Sequence, residues 1–587
     1  MAQTGTLIPA IFRCFPSPNG DPVFQPLTRR PIHRRDFVKL GAAAVAAPWL
    51  SIPQFAQEPN PAWPTQTLPP YLEVEIASGR IRGGHSRGAL AFKGIPYAGS
   101  VSGKNRFKAA PKVEPWAGVR DALLLGPPAL QGPGGTYGEH EPAQSEDCLV
   151  LNVWTPAADQ KKRPVMVYLH GGGFTAGSGA QNIQDGSHLA ANYDVVVVAT
   201  NHRIGLFGYL YLGEIGGEEY ATSGNQGMLD VVASLGWIKQ NIHVFGGDPN
   251  SVFVFGESGG GSKTCALMGM PAGKGLFHKA GVQSGPMLRG ASKDLATETA
   301  RRVLRGLNIA PGDLGKLADV PAEQLLAIQL TGQRPGGALS TPSPEWAASH
   351  PAGTPGPRGG AGWGPVVDGK VLPHDPFDPA ATPVSAHVPL IIGNMHDEAV
   401  FNQRNNAAFF HQDEAAVTAS ESRRLGANAA TILAAYRKAM PDATPVEIAV
   451  AIETATFNGN NTVTLADRKS QQPAAVFRYR NDHRSNVPVA GTDWTLRACH
   501  ASDISQVFDN YELPDLQGTG PGIAEVSHAM SGYFASFARH GVPSMDGLPA
   551  WPRYNTSTRA TMILNTECHV ENDPDSDIRK MWQSLSS

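Results

Sequence analysis

Apolar residues in this chain fall into two kinds of run, and the two kinds alternate. VMVYLH (Val165–His170), DVVVVAT (Asp194–Thr200) and VPLIIGNM (Val388–Met395) are short and apolar almost throughout. Strands buried on both faces carry that pattern, as in a parallel sheet covered by helices. LDVVASLGWIKQNIHVFG (Leu229–Gly246) instead spaces Val232, Leu235, Trp237 and Ile238 as a helix would, and runs straight into VFVFG. The stretch VFVFGESGGGSKTCALMG (Val252–Gly269) changes character in its middle, from strand to helix. Such alternation predicts an α/β fold with a large, mostly parallel central sheet flanked by helices. YLEVEIASGRIRGG (Tyr71–Gly84) alternates and turns, which predicts small antiparallel strands, and SRRLGANAATILAAYRKAM (Ser422–Met440) predicts a helix. From Gln333 to Gly364 glycine, proline, serine and alanine dominate, and the chain reads as a long surface excursion.

Composition narrows this picture. With 587 residues, 41% hydrophobic and 17% charged, the chain can bury a large core, and 65 glycines and 49 prolines imply many turns and long loops. A net charge of −3 supplies no basic excess for a phosphate backbone, so no nucleic-acid partner is expected. The five cysteines (Cys14, Cys148, Cys265, Cys499, Cys568) form no CxxC pair, which argues against a zinc ribbon and a dense disulfide framework but leaves one or two bridges open.

The N-terminus carries HRRDFVKLGAAAVAAPWL (His33–Leu50), with paired Arg34 and Arg35, then Phe37 and Lys39, then a short alanine-rich run. This is the pattern of a twin-arginine export signal, with cleavage expected between Ala47 and Gln57. The run falls short of the roughly 20 residues of a membrane span, and no later segment is apolar enough to be one. The expectation is a periplasmic or secreted protein, with residues 1–56 as an N-terminal extension and 57–587 as a single catalytic domain.

Candidate chemistry sits where strand meets helix. Gly256-Glu257-Ser258-Gly259-Gly260 places one serine at the sharpest turn, with glycines where side chains would clash. The pattern G-x-S-x-G between a strand and a helix is the nucleophile elbow of an α/β-hydrolase. A serine hydroxyl needs a base to take its proton, and the tetrahedral oxyanion needs hydrogen-bond donors. LHGGGFTAGS (Leu169–Ser178) follows the strand VMVYLH and offers unscreened backbone N–H groups. Gly172, Gly173 and Gly259 are therefore the expected oxyanion donors, with Gly171 making the turn. His170 is a weak candidate base, since it sits at the strand end where it would pack or bond locally. His140-Glu141 lacks the second histidine of H-E-x-x-H, so no metal or other cofactor is implied.

These blocks resemble the type-B carboxylesterases, the group that includes cholinesterases and bacterial para-nitrobenzyl esterases. SEDCLVLNVWTP (Ser145–Pro156) and NIHVFGGDPNSVFVFGESGGGS (Asn241–Ser262) are similar to the two family signatures. AFKGIPYA (Ala91–Ala98), VQSGP (Val282–Pro286), GPVVDG (Gly364–Gly369) and LPAWPRY (Leu548–Tyr554) follow in the family's order, from about residue 71 onward. The resemblance implies a serine carboxylesterase acting on a small-molecule ester, with the catalytic acid in GNMHDEAVF at Glu398 and the histidine in ACHASDISQVF at His500. Asp397 is the rival acid and His396 the rival histidine. Glu257, Ser284 and Asp503 become supporting residues, the last two as a buried pair.

Several positions depart from the family's pattern. Ala399 and Ala501 stand where it has glycines, and His202-Arg203 replaces its Tyr-Arg pair. The resemblance would pair Cys148 with a residue near Ala129, where no cysteine exists, so Cys148 is expected free and buried. Pro127–Ser145 contains no tryptophan, which removes the aromatic platform for a quaternary ammonium. A lipase of long-chain esters and a non-catalytic binding protein are the competing readings, and the oligomeric state is left open.

Overall fold

The buried runs do become strands of one sheet. A computed structural model describes residues 70–133, 141–331, 343, 345, 363–513 and 515–586, and the backbone of 12–16 and 22–26. The chain divides into two units, Met1–Leu68 and Pro69–Ser587. In the first, β1 (Phe12–Pro16) and β2 (Pro22–Pro26) pair antiparallel. The twin-arginine segment, His140 and most of Gln333–Gly364 lie outside the described residues.

In the second unit the strands follow in chain order as β3 (Leu72–Ile76), β4 (Gly79–Ser86), β5 (Ala89–Pro96), β6 (Val119–Asp121), β7 (Val150–Thr155), β8 (Arg163–Leu169), β9 (Val196–Thr200), β10 (Gly247–Glu257), β11 (Lys279–Gln283), β12 (Leu390–Met395), β13 (Val476–Asn481), β14 (Ser485–Pro488), β15 (Thr495–Arg497), β16 (Ala560–Leu564) and β17 (His569–Asn572). A 13-stranded sheet runs β17-β16-β13-β12-β11-β10-β8-β9-β7-β5-β4-β3, with β6 pairing β4, while β14 and β15 form a separate hairpin. From β9 through β8, β10, β11, β12 and β13 to β16 every pairing is parallel; toward the edges the path β9-β7-β5-β4-β3 and the pair β16-β17 are antiparallel.

Strand β8 shows why its run is apolar on both faces. Val165, Val167 and Leu169 pack in one layer with Leu235 and Ile238 of α1 (Gln226–Asn241). Met166 and Tyr168 point the other way, into a layer with Phe534 and Phe537 of a later helix, Ile523–His540. Successive strand side chains alternate in direction, so a strand covered on both faces must be apolar at every position.

One helix differs from expectation. Ser422–Met440 is not one helix but the end of Glu414–Leu425 and the whole of Ala429–Ala439, broken at Gly426 with φ +60. Left-handed backbone ends a helix and suits glycine. The two helices pack in a separate cluster with Ile448 and Ile452 of the helix Pro445–Thr454, which a π turn, Ala455–Gly459, joins to Asn460–Lys469. Among the described residues no helix is long and apolar enough to cross a membrane.

Candidate active site

Ser258 stands between the end of β10 and α2 (Gly259–Gly269), with φ +55 and ψ −119. A non-glycine residue is rare in that region and persists only where its surroundings force it. Here they do: its N–H donates to Gln283 O at 2.8 Å, and the backbone packs with no room for side chains. A Cβ on Gly256 would lie 2.4 Å from Leu169 O, one on Gly260 1.8 Å from the same oxygen, and one on Gly285 1.8 Å from Ser258 O. The glycines around the serine, and the one in VQSGP, are thus required by contact between chain segments.

The glycine loop after β8 meets this turn directly. A Cβ on Gly259 would fall 2.1 Å from Gly173 O and 2.5 Å from Gly173 N. The turn is made by Gly172 (φ +81) and Gly173 (φ +60) rather than by Gly171. Among the described residues the N–H groups of Gly172 and Gly173 donate no hydrogen bond. Gly259 N–H is the first of α2, one of the donors a helix leaves unpaired at its start.

His500 is brought to the same place by the segment after β15. Its Nδ1–H donates to Glu398 Oε2 at 2.5 Å, and Glu398 Oε1 accepts from Met395 N at 2.8 Å. On the opposite edge of the ring, Nε2 lies 3.2 Å from Glu257 Oε1. Among the described residues Ser258 Oγ makes no hydrogen bond. Burial by itself would push the His500 imidazole down; the negative charges of Glu257 and then Glu398 outweigh it and raise the group to about 9.

The rivals are turned elsewhere. Asp397 accepts from His396 Nδ1 at 3.0 Å and from Ala498 N at 3.4 Å, not from His500. His170 Nδ1 bonds Gly171 O at 2.9 Å, and its ring stacks on His202 at 4.5 Å. The basicity of His170 is driven well down, first by burial and then by the charge of Lys263. The His202-Arg203 departure has a structural role: His202 supplies this stack, and Arg203 pairs with buried Asp230 at 2.7 Å.

One pairing implied by the resemblance is absent. Asp503 accepts not from Ser284 but from Gln283 Nε2 at 3.0 Å and Tyr479 OH at 3.1 Å. Ser284 is buried with φ +50, and its Oγ has no hydrogen-bond partner among the described residues. Its carbonyl accepts from Asn458 Nδ2 at 3.1 Å. Burial raises the Asp503 carboxyl to about 6, against the hydrogen bond from Gln283. The alanines at glycine positions differ from each other: Ala399 has helical backbone at φ −66, whereas Ala501 keeps φ +68. Cys148 is free and buried, as are Cys265 and Cys499; Cys568 is free and half-buried.

Three contributors escaped the sequence reading. Phe401 and Phe457 stand edge-on to the His500 ring at 5.6 and 5.0 Å. Phe401 lies in the same segment as Glu398, but Phe457 sits in the π turn, which has no local sequence signal. Lys263 is fully buried in α2, and only its place in the opening turns after Ser258 could have drawn notice.

A serine on a strained strand-to-helix turn of a parallel sheet, with a glycine loop packed against the turn and a carboxylate-bound histidine reaching the residue beside it, defines an α/β-hydrolase. The chain belongs to the carboxylesterase family, whose model matches residues 70–582, and is a carboxylic ester hydrolase. It is 34% identical over 517 residues to the para-nitrobenzyl esterase of Bacillus subtilis, covering 86% of this chain and 97% of that relative. It is 30% identical over 509 residues to a phenmedipham hydrolase of Pseudarthrobacter oxydans, covering 84% and 95%. The crystal structure of a Geobacillus stearothermophilus carboxylesterase superposes with a TM-score of 0.72 at 34% identity, covering 87% of this chain and 100% of that one.

Proposed function

We propose that this chain hydrolyses small carboxylic esters through an acyl-enzyme intermediate. Ser258 attacks the ester carbonyl while His500 takes its proton, then passes that proton to the departing alcohol. Glu398 orients the imidazole and stabilises its cation. The amides of Gly172, Gly173 and Gly259 receive the oxyanion. Water, activated by His500, then attacks the acyl carbon; the acid leaves and Ser258 regains its proton. The observation that carries this reading is the 2.5 Å bond from His500 to Glu398, with the opposite ring edge reaching the side chain next to Ser258. The serine–histidine bond is commonly long without substrate and tightens in the substrate complex.

Phe401 and Phe457 beside the histidine favour an aromatic ester, as does the likeness to a para-nitrobenzyl esterase. A series of p-nitrophenyl esters of increasing acyl length, followed with a fluorophosphonate probe, tests the reading. Turnover should be highest for short acyl groups, and the probe should modify Ser258 alone. A rate that rises toward long chains and jumps at a lipid–water interface would make the protein a lipase. Labelling of any other residue would defeat the serine assignment.

The charge around His500 sets a pH dependence. A base raised to about 9 is protonated at neutral pH, so kcat/KM should climb with pH through that region. Glu257→Gln removes the foremost of the charges that raise it, and should move this limb down by about one unit or more. A profile of kcat/KM from acidic to alkaline pH checks this; an unmoved limb would show that Glu257 does not act on the base.

We also propose twin-arginine export, on the strength of Arg34, Arg35 and the apolar run that follows. Cell fractionation of the full chain and of a variant with both arginines changed to lysine tests it. Equal export of the two would remove the proposal.

A further inference from the structure

The proposed reaction makes no use of Lys263. This side chain is fully buried in α2, yet its Nζ has specific partners: it donates to His170 O at 2.9 Å and to Gly173 O at 2.8 Å. It also lies 5.5 Å from the centre of the Phe174 ring. Those two carbonyls stand on either side of the amides of Gly172 and Gly173. Lys263 is five residues after Ser258 on the helix that begins at Gly259. One side chain therefore joins the helix carrying the nucleophile to the loop bearing the oxyanion donors.

We propose that Lys263 is a positioning residue that pins the glycine loop to the nucleophile helix and so sets the aim of the Gly172 and Gly173 amides at the oxyanion. The proposal rests on the assignment of those amides as oxyanion donors. Its physical basis is the freedom of the loop. Gly172 and Gly173 have no side chains to hold them, and a Cβ on Gly173 would meet nothing within 4 Å. The planes that carry the two amides are fixed within the loop, since Gly171 O meets His170 Nδ1 at 2.9 Å and Gly172 O accepts from Thr175 N at 3.2 Å and Ala176 N at 3.0 Å, so the loop moves against α2 as a unit unless its outer carbonyls are held. Hydrogen bonds to an amine hold one carbonyl at each end of the Gly171-Gly172-Gly173 run.

Such a strap does not depend on the charge of the amine. Burial lowers Lys263 to about 7, against the opposing pull of Glu257. His170 and His202 also face it, and both have depressed basicity, to which the lysine's charge contributes after burial. A charged lysine has three donors and a neutral one has two, so both carbonyls are served in either state.

Lys263→Met keeps an unbranched side chain one atom shorter and removes every donor. The folded variant should lose roughly 10²-fold in kcat, the scale for misaligned catalytic groups, with KM for a p-nitrophenyl ester changed less than about threefold. Binding of an aryl trifluoromethyl ketone, whose tetrahedral adduct occupies the oxyanion site, should weaken by the same factor as kcat. A merely structural lysine would lower the melting temperature but leave the folded variant with normal kcat and normal ketone affinity, and that result would overturn the proposal. Lys263→Ala, refolded and assayed with added propylamine, is the second arm. Recovery of kcat with the amine, and none with propanol, supports the strap; equal recovery with both, or none with either, counts against it. Loss of the strap leaves the serine assignment intact, because Ser258 should still take the fluorophosphonate.

Discussion

Ser258→Ala should abolish nearly all ester hydrolysis, lowering kcat by roughly 10⁴- to 10⁶-fold, while the protein stays folded. The size of the loss follows from the role proposed for the hydroxyl. In that scheme no acyl-enzyme forms without it, and the remaining catalysis is what the glycine amides would give to direct attack by water. The fold should tolerate the change because Ser258 Oγ makes no hydrogen bond among the described residues, and its backbone bonds to Gln283 O and from Ser262 N involve no side chain. Alanine can also hold a strained backbone that serine already holds. Steady-state kinetics with a p-nitrophenyl ester and a melting curve measure both halves. Turnover within tenfold of the parent would remove Ser258 as nucleophile; an unfolded variant would show that the turn depends on the hydroxyl.

Gly260→Ala should damage both stability and activity, although it adds only a methyl group. That methyl would fall 1.8 Å from Leu169 O, 2.9 Å from Leu169 C and 3.2 Å from His170 O. All three atoms are backbone at the end of β8, which is hydrogen-bonded to β9 and β10 and cannot yield as a flexible side chain would. The expected cost is at least about 3 kcal/mol, the upper part of the usual range for overpacking. Relief requires α2 to move away from the sheet, which carries Gly259 N–H and Ser258 out of line and should lower kcat by roughly 10²-fold or more. Gly236→Ala in α1 is the matched control. Nothing lies within 4 Å of the added methyl there, so replacing a glycine in a helix interior should stabilise by about 1 kcal/mol. Chemical denaturation of both variants reads the contrast, and similar stabilities would mean that the close packing at Gly260 is not real.

The difference between these two glycines separates what was legible in the chain from what was not. Continuous apolar runs such as VMVYLH had to be strands buried on both sides, because burial on two faces leaves no place for a polar alternation. Gly172 and Gly173 after His170 take positive φ for an equally local reason, whereas the glycines around Ser258 marked a close approach whose partners, Leu169 and Gly173, only the fold supplies. Apolar runs and left-handed turns are written by the immediate conformation of the chain. Ser422–Met440 is not a single helix because Gly426 takes φ +60 and breaks it.

By itself the amino-acid sequence determined the α/β architecture, the strand–turn–helix that presents Ser258, the glycine loop, and two neighbouring acids and two histidines from which one partnership had to be chosen. Only the tertiary structure decided that Glu398 rather than Asp397 meets His500, that Glu257 faces the other edge of the ring, and that Asp503 turns to Gln283 and Tyr479 instead of Ser284. The same holds for Lys263 beneath the glycine loop and Phe457 beside the imidazole. The physical reason is distance along the chain: His500 and Glu398 are 102 residues apart, and Lys263 and His170 are 93 apart. Contacts over such separations depend on how strands register and helices pack, and they leave no periodicity in the segments that make them.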